Sequence, residues 1–131
     1  EDMTLIREKE ILLSSQIEKD IFLCGNALLL SRMLSNLIGN AYRYGRENGW
    51  IQVTLQKKEG KILISVEDNG IGVRKEEQEK IFRRFYQSDA SRTGDGMGLG
   101  LSMAREIARY HGGDISLQCE PGKGSIFCVT F

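Results

Sequence analysis

The chain has 131 residues, 40% of them apolar and 27% charged, the balance of one soluble globular domain able to bury roughly two-thirds of its unfolded surface. Eighteen basic side chains offset eighteen acidic ones, and a zero net charge argues against nucleic-acid or acidic-membrane binding, which needs a broad positive footprint. No apolar run reaches the roughly 18 residues of a membrane span, and residues 1–10 (EDMTLIREKE) do not read as a signal peptide.

Cys24, Cys119 and Cys128 are widely spaced and form no CxxC pair. A zinc site is not expected, and reduced thiols in a cytoplasmic setting are. His111 is the sole histidine, and no serine lies in a GxSxG setting, so a Ser-His-Asp triad has little to draw on. Glycine is enriched, at 15 residues, about 11% against an average of roughly 7%. Gly94, Gly96, Gly98 and Gly100 fall at alternate positions, and Pro121 is the only proline.

In chain order, residues 1–9 are expected to be the remnant of a preceding linker, and 10–131 to form one domain. Residues 10–17 (EILLSSQI) and 20–24 (DIFLC) read as two strands joined by Glu18-Lys19. Asn26 stands where an N-cap belongs, and 27–44 carry a helical pattern. Leu30, Met33, Leu34, Leu37, Ile38, Ala41 and Tyr44 share one face, and Gly45 is a natural stop. Residues 50–57 and 61–67 alternate apolar and polar around a Glu59-Gly60 turn, which predicts a hairpin. Residues 74–86 read as a short charged helix ending in Phe82, Phe85 and Tyr86. Residues 87–97 are polar and glycine-bearing and read as a mobile lid. A second helix is expected over about 98–111, stopped by Gly112-Gly113, followed by strands at 114–119 and 125–131. Hairpins alternating with helices predict an α/β two-layer sandwich, a mixed and mostly antiparallel sheet packed on about three helices. Strict βαβ repetition, and with it a doubly wound fold, is absent.

Certain segments carry polar groups where packing does not require them. Asn36, Asn40 and Arg43, at spacings of four and three, lie along one edge of the first helix, bordering its apolar face. Asparagine is a poor helix-interior residue, so the pair reads as ligands for a hard cation such as Mg²⁺, with Arg43 meeting phosphate, or else as an ordinary boundary stripe. Asp68-Asn69-Gly70-Ile71-Gly72 follows a strand. It reads as a turn, or as a carboxylate able to accept from an exocyclic amine beside glycines that admit a flat base. Gly94 to Leu101 runs straight into a helix, where free backbone N–H groups and the helix dipole suit a phosphate. Neither a dinucleotide fingerprint nor a P-loop fits this register. Arg83, Arg84 and Arg92 form a basic stretch, either a solvated charge run or guanidinium for a triphosphate. His111, at the end of the second helix, suits a structural role at the helix C-terminus.

In this order the segments resemble the ATP-binding catalytic domain of bacterial sensor histidine kinases, from about residue 10 to the end. LSNLIGNAYRYG (34–45) resembles the N box, DNGIG (68–72) the G1 box, IFRRFYQ (81–87) the F box, GMGLGLSMAREIARYHGG (96–113) the G2 box with its helix, and GKGSIFCVTF (122–131) the closing strand. The resemblance implies the Bergerat-type ATP-binding fold shared with gyrase and mismatch-repair ATPases, with ATP and Mg²⁺ as cofactors. It implies that Asp68 binds the adenine amino group with Gly70 and Gly72 nearby, and that Ser125 supports Asp68. It further implies that Asn40 holds Mg²⁺ and that Asn36, Arg43 and Arg84 take part in catalysis. Tyr44, Ile81, Phe82 and Tyr86 would line the nucleotide, and Gly96, Gly98, Leu99, Gly100 and Leu101 would cradle the triphosphate.

Arg74 departs from the proline common after the G1 box, Asp95 from a common glycine, and Arg43 from a more common lysine. The His-acidic-x-x-x-Pro phosphoacceptor motif is absent. The implied reaction is therefore transfer of the γ-phosphoryl of ATP to a histidine on a separate dimerisation and phosphoacceptor helical domain, with a response regulator downstream. The implied setting is cytoplasmic, with a parent protein that could be anchored in the cell membrane. The rival readings are a GHKL-type ATPase, disfavoured because Asn36 stands where those enzymes keep a glutamate base, an anti-sigma-type serine kinase, for which an acidic base is expected in the same region, and a non-catalytic nucleotide-sensing module.

Overall fold

A computed structural model describes residues 2–6, 10–84, 100–120 and 122–131. Its elements are β1 (Asp2–Ile6), β2 (Ile11–Ile17), α1 (Ala27–Arg43), β3 (Trp50–Lys58), β4 (Lys61–Asp68), a 3-10 turn (Lys75–Glu77), α2 (Gly100–Tyr110), β5 (Asp114–Glu120) and β6 (Gly124–Thr130). The strands form one six-stranded sheet in the order β1-β2-β3-β4-β6-β5. Among the described strands only the β2–β3 pair is parallel.

Alternation along the strands decides which face is buried. One row across the sheet runs Val53, Val66, Phe127, Leu117, and the next runs Ile64, Val129, Ile115. These side chains join Met33, Leu37 and Ala41 of α1 and Ala104, Ile107 and Ala108 of α2 in one core, so both helices cover the same face. The opposite face carries Gln52, Thr54 and Gln56 of β3. The hairpin between β3 and β4 turns through Glu59 and Gly60 at φ 54° and 80°, the paired positive values of a tight two-residue connection.

The α1 start is capped as its sequence predicts: Asn26 is extended, and its side chain accepts from the Leu29 N–H at 3.0 Å. Residues 20–24 correct the strand reading, because they form no strand. Both edges of β2 are already taken, by β1 on one side and β3 on the other, so 20–24 cannot form the hairpin with β2 that the sequence suggests. The element on β2 is instead residues 2–6.

The helix expected over 74–86 is replaced, in its described part, by the 3-10 turn and a string of turns through Arg83. Its early residues offer no apolar stripe. Among its described residues only Ile81 and Phe82 enter the core, so residues 74–80 have little to hold a helix down. Phe85, Tyr86, the 87–97 segment, Gly98 and Leu99 lie outside the described residues.

Candidate nucleotide site

The row of side chains beyond Val53 and Val66 contains Ile51, Asp68, Ser125 and Cys119. A carboxylate thus occupies a core-facing position at the end of β4, and Asp68 is 4% exposed. Its Oδ1 accepts from the Gly70 N–H at 2.8 Å, and its Oδ2 from the Ser125 hydroxyl at 2.9 Å. Burial pushes the Asp68 pKa above the ordinary carboxylate value, against the opposing pull of the Gly70 and Ser125 hydrogen bonds. The Ser125 N–H adds a third and smaller pull in the same direction.

The loop after Asp68 is held residue by residue. Asn69 Oδ1 accepts from the Trp50 N–H at 2.8 Å. The Ile71 N–H donates to the Tyr44 carbonyl at 3.0 Å, and the Ile71 carbonyl accepts from the Gly122 N–H at 2.7 Å. The Val73 N–H meets Cys119 Sγ at 2.9 Å, while the Gln78 amide donates to the Val73 carbonyl at 3.0 Å. Gly72 takes φ 75°. Glycine is required where backbones meet: a Cβ on Gly70 would stand 2.2 Å from the Tyr44 carbonyl oxygen, and one on Gly124 2.1 Å from that of Asp68.

The predicted site residues divide by location. Asp68, Gly70, Gly72, Tyr44 and Ser125 come together around this loop. Asn36 and Asn40 are half-buried on α1 and Arg43 is exposed near its end, the end that meets the loop through Tyr44. Ile81 is buried in the core, and Phe82 packs edge-on against Phe127 with ring centroids 6.1 Å apart. The Arg105 guanidinium lies 4.8 Å from the Phe82 ring centroid. Gly100 opens α2, with no described residue within 4 Å of an added Cβ, and Leu101 is half-buried behind it. Arg84 is exposed. Tyr86, Gly96, Gly98 and Leu99 lie outside the described residues.

Sequence reading missed Arg46, Asn69, Cys119 and Gly124 as parts of this site. Register alone would have found Cys119, which pairs with Ser125 on β6 as Ser125 pairs with Asp68. His111 has the structural role expected of it. Its Nδ1 donates to the Ile107 carbonyl at 2.8 Å, and its Nε2 accepts from the Asn26 N–H at 3.0 Å, so both nitrogens are used.

The donor set fits a nucleotide with a divalent cation: a buried acceptor for an amine, glycine backbones beside it, and neutral amide oxygens one helical turn apart on α1. Magnesium takes few protein ligands besides substrate phosphates. Among the described residues, no cluster of three or more His, Cys, Asp or Glu side chains forms a separate metal site.

The chain belongs to the Histidine kinase-, DNA gyrase B-, and HSP90-like ATPase family, which it matches over residues 25–131. Within that family it is 40% identical over 120 residues to the sensor histidine kinase RppB of Synechocystis sp., covering 89% of this chain and 26% of that protein. It is 39% identical over 117 residues to the sensor protein kinase PmrB of Pseudomonas aeruginosa, covering 89% and 24%. The chain therefore spans about a quarter of the length of these curated relatives. Among solved structures it is similar to the catalytic domain of histidine kinase ThkA, with TM-score 0.81 at 29% identity, covering 95% of this chain and 82% of that one. It is also similar to full-length ShkA in complex with AMPPNP, with TM-score 0.82 at 28% identity, covering 94% and 26%. ThkA has also been solved with the response regulator TrrA, at TM-score 0.75 and 27% identity, covering 95% and 35%. Open-faced α/β architecture and family membership thus agree. No described helix is long and apolar enough to cross a membrane.

Proposed function

We propose that this chain binds ATP with Mg²⁺ and transfers the γ-phosphoryl group to a histidine on a helical dimerisation and phosphoacceptor domain of the same parent protein. The observation that carries the reading is the buried Asp68 carboxylate, fixed by Gly70 and Ser125 at the mouth of a glycine loop that rests on the end of α1. Asp68 accepts from the exocyclic amine of adenine, and the Gly70–Gly72 backbone lies beside it. Asn40 would hold Mg²⁺, with Asn36 beside it, and the ion would supply charge neutralisation to the phosphates. Arg43 and Arg84 add guanidinium charge, and Gly100 with Leu101 bring backbone N–H groups of the α2 start. Positioning and charge neutralisation are most of what phosphoryl transfer asks of a protein.

Asn36 cannot take a proton, so water is not activated at that position, and an imidazole supplied by the partner is the nucleophile. Its nitrogen bonds to the γ-phosphorus as the bond to the ADP oxygen breaks. His111 is not that nucleophile, since both of its ring nitrogens are engaged, Nδ1 with the Ile107 carbonyl of its own helix and Nε2 with the Asn26 N–H at the start of α1. The complex of ThkA with a response regulator supports a response regulator as the next acceptor, in the cytoplasm where ATP is available. Incubation with γ-labelled ATP tests the reading: label on an added phosphoacceptor hairpin, and little free phosphate without it, is expected. Fast phosphate release by the chain alone would support an ATPase instead.

A further inference from the structure

We propose that Arg46 is a positioning residue for adenine recognition: its guanidinium ties the Asp68 loop to the β5–β6 hairpin and so fixes the direction in which the carboxylate faces its ligand. The inference rests on Asp68 being the adenine acceptor. Arg46 Nε donates to the Gly70 carbonyl at 3.3 Å, and Nη2 donates to the Gly122 carbonyl. The Gly122 N–H in turn donates to the Ile71 carbonyl at 2.7 Å. These three bonds close a ring through Gly70-Ile71, Gly122 and the guanidinium.

The peptide linking Gly70 to Ile71 is the member that matters. Its carbonyl is held by Arg46 and its N–H by the Tyr44 carbonyl, at 3.0 Å. The preceding N–H, that of Gly70, is the donor to Asp68 Oδ1. Holding the Gly70-Ile71 peptide fixes one side of the Gly70 Cα and so limits how far the adjoining Asn69-Gly70 peptide, whose N–H orients the carboxylate, can turn. Glycine at 70 offers little intrinsic resistance to such rotation, so the restraint must come from outside the loop. A planar guanidinium fork can serve two carbonyls at once in fixed geometry, which a single ammonium on a flexible stem does less well. Arg46 is itself exposed, just past the end of α1, so its role is not core packing.

The test uses calorimetry on the parent chain, Arg46→Ala, Arg46→Lys and Asp68→Ala, with ATP, ITP and tripolyphosphate as ligands, each with Mg²⁺. ITP lacks the exocyclic amine, and tripolyphosphate lacks the base. The parent should prefer ATP over ITP, and Asp68→Ala should abolish that preference. Arg46→Ala should weaken ATP by about tenfold, the scale of one or two lost hydrogen bonds, with ITP and tripolyphosphate unchanged and the melting temperature nearly so. Arg46→Lys should recover only part of the loss, and it decides the matter if Arg46→Ala does not fold. Equal ATP affinity in the parent and Arg46→Lys, or an equal loss for all three ligands in Arg46→Ala, overturns the positioning role. A parent that binds ATP and ITP alike overturns the Asp68 reading instead.

Discussion

Ser125 donates its hydroxyl hydrogen to Asp68 Oδ2 at 2.9 Å, and the two residues are register partners across the β4–β6 ladder. The sheet itself therefore sets the geometry of the buried carboxylate. Because burial raises the Asp68 pKa, the folded state binds that proton more tightly than the unfolded state does. Stability from this group is fully present below the unfolded value of 3.8 and declines as pH rises through the folded value. Asp68→Asn should lack that decline and be at least as stable as the parent at neutral pH, while losing ATP affinity. Ser125→Ala should steepen the decline, since it removes a bond that favours the charged form. Thermal melts over a pH series, paired with calorimetry, check both. An Asp68→Asn variant that is less stable than the parent at neutral pH would contradict the assignment of burial as the dominant cause.

His111 links the two helices by accepting from the Asn26 N–H while donating to the Ile107 carbonyl. His111→Ala should cost about 1–3 kcal/mol, the penalty for leaving such groups without their partner. Gly25→Ala should act on the same contact from the other side, because a Cβ there would lie 2.3 Å from His111 Cδ2. Denaturant titration reads both losses. Phosphoryl transfer to an added hairpin should persist in His111→Ala wherever the variant is folded.

Asp114 titrates in the opposite sense from Asp68. Its slight burial acts to raise the pKa, but hydrogen bonds from Arg105, the Ile115 N–H and Arg109 outweigh it and bring the value to about 2. The stability it adds is present above pH 3.8 and is lost as pH falls through about 2. Its side chain is 51% exposed, so solvent and salt screen the pairs, and Asp114→Asn should cost only about 0.5 kcal/mol at neutral pH. Urea melts at low and high salt test this, with the difference between variant and parent shrinking as salt rises.

The parts of this molecule legible in its sequence are those with local causes. Asn26 caps α1 because its side chain satisfies an N–H three residues on, and the Glu59-Gly60 hairpin follows from a turn whose residues accept positive φ. The pairing of Ser125 with Asp68 became legible through family resemblance, since a sequence separation of 57 gives no local signal. Strand pairing at the N-terminal edge was not legible. Residues 20–24 look as strand-like as 10–17, and only the fold shows that both edges of β2 are taken by other strands. Arg46 was hidden for a related reason: its partners are backbone carbonyls, which carry no mark in a sequence.

Glycines offer the sharpest ranking of substitutions. Gly60 has φ 80° and open space around an added Cβ, so Gly60→Ala should meet only backbone strain, about 1–2 kcal/mol. Gly124 combines φ 113° with a would-be Cβ 2.1 Å from the Asp68 carbonyl oxygen and 2.9 Å from Asn69 Cα. Neither is a flexible side-chain tip, so Gly124→Ala must push β6 away from β4 at the Ser125–Asp68 pair. It should cost more than about 4 kcal/mol, the range reserved for a named structural conflict, and should lower ATP affinity in whatever fraction stays folded. Gly70→Ala belongs with it, because its Cβ would meet the Tyr44 carbonyl oxygen at 2.2 Å. Denaturant midpoints for the three variants give the order directly, with Gly60→Ala nearest the parent. A Gly124→Ala variant as stable as Gly60→Ala would mean that the β4–β6 contact can open without loss, and that Asp68 is not held by the sheet.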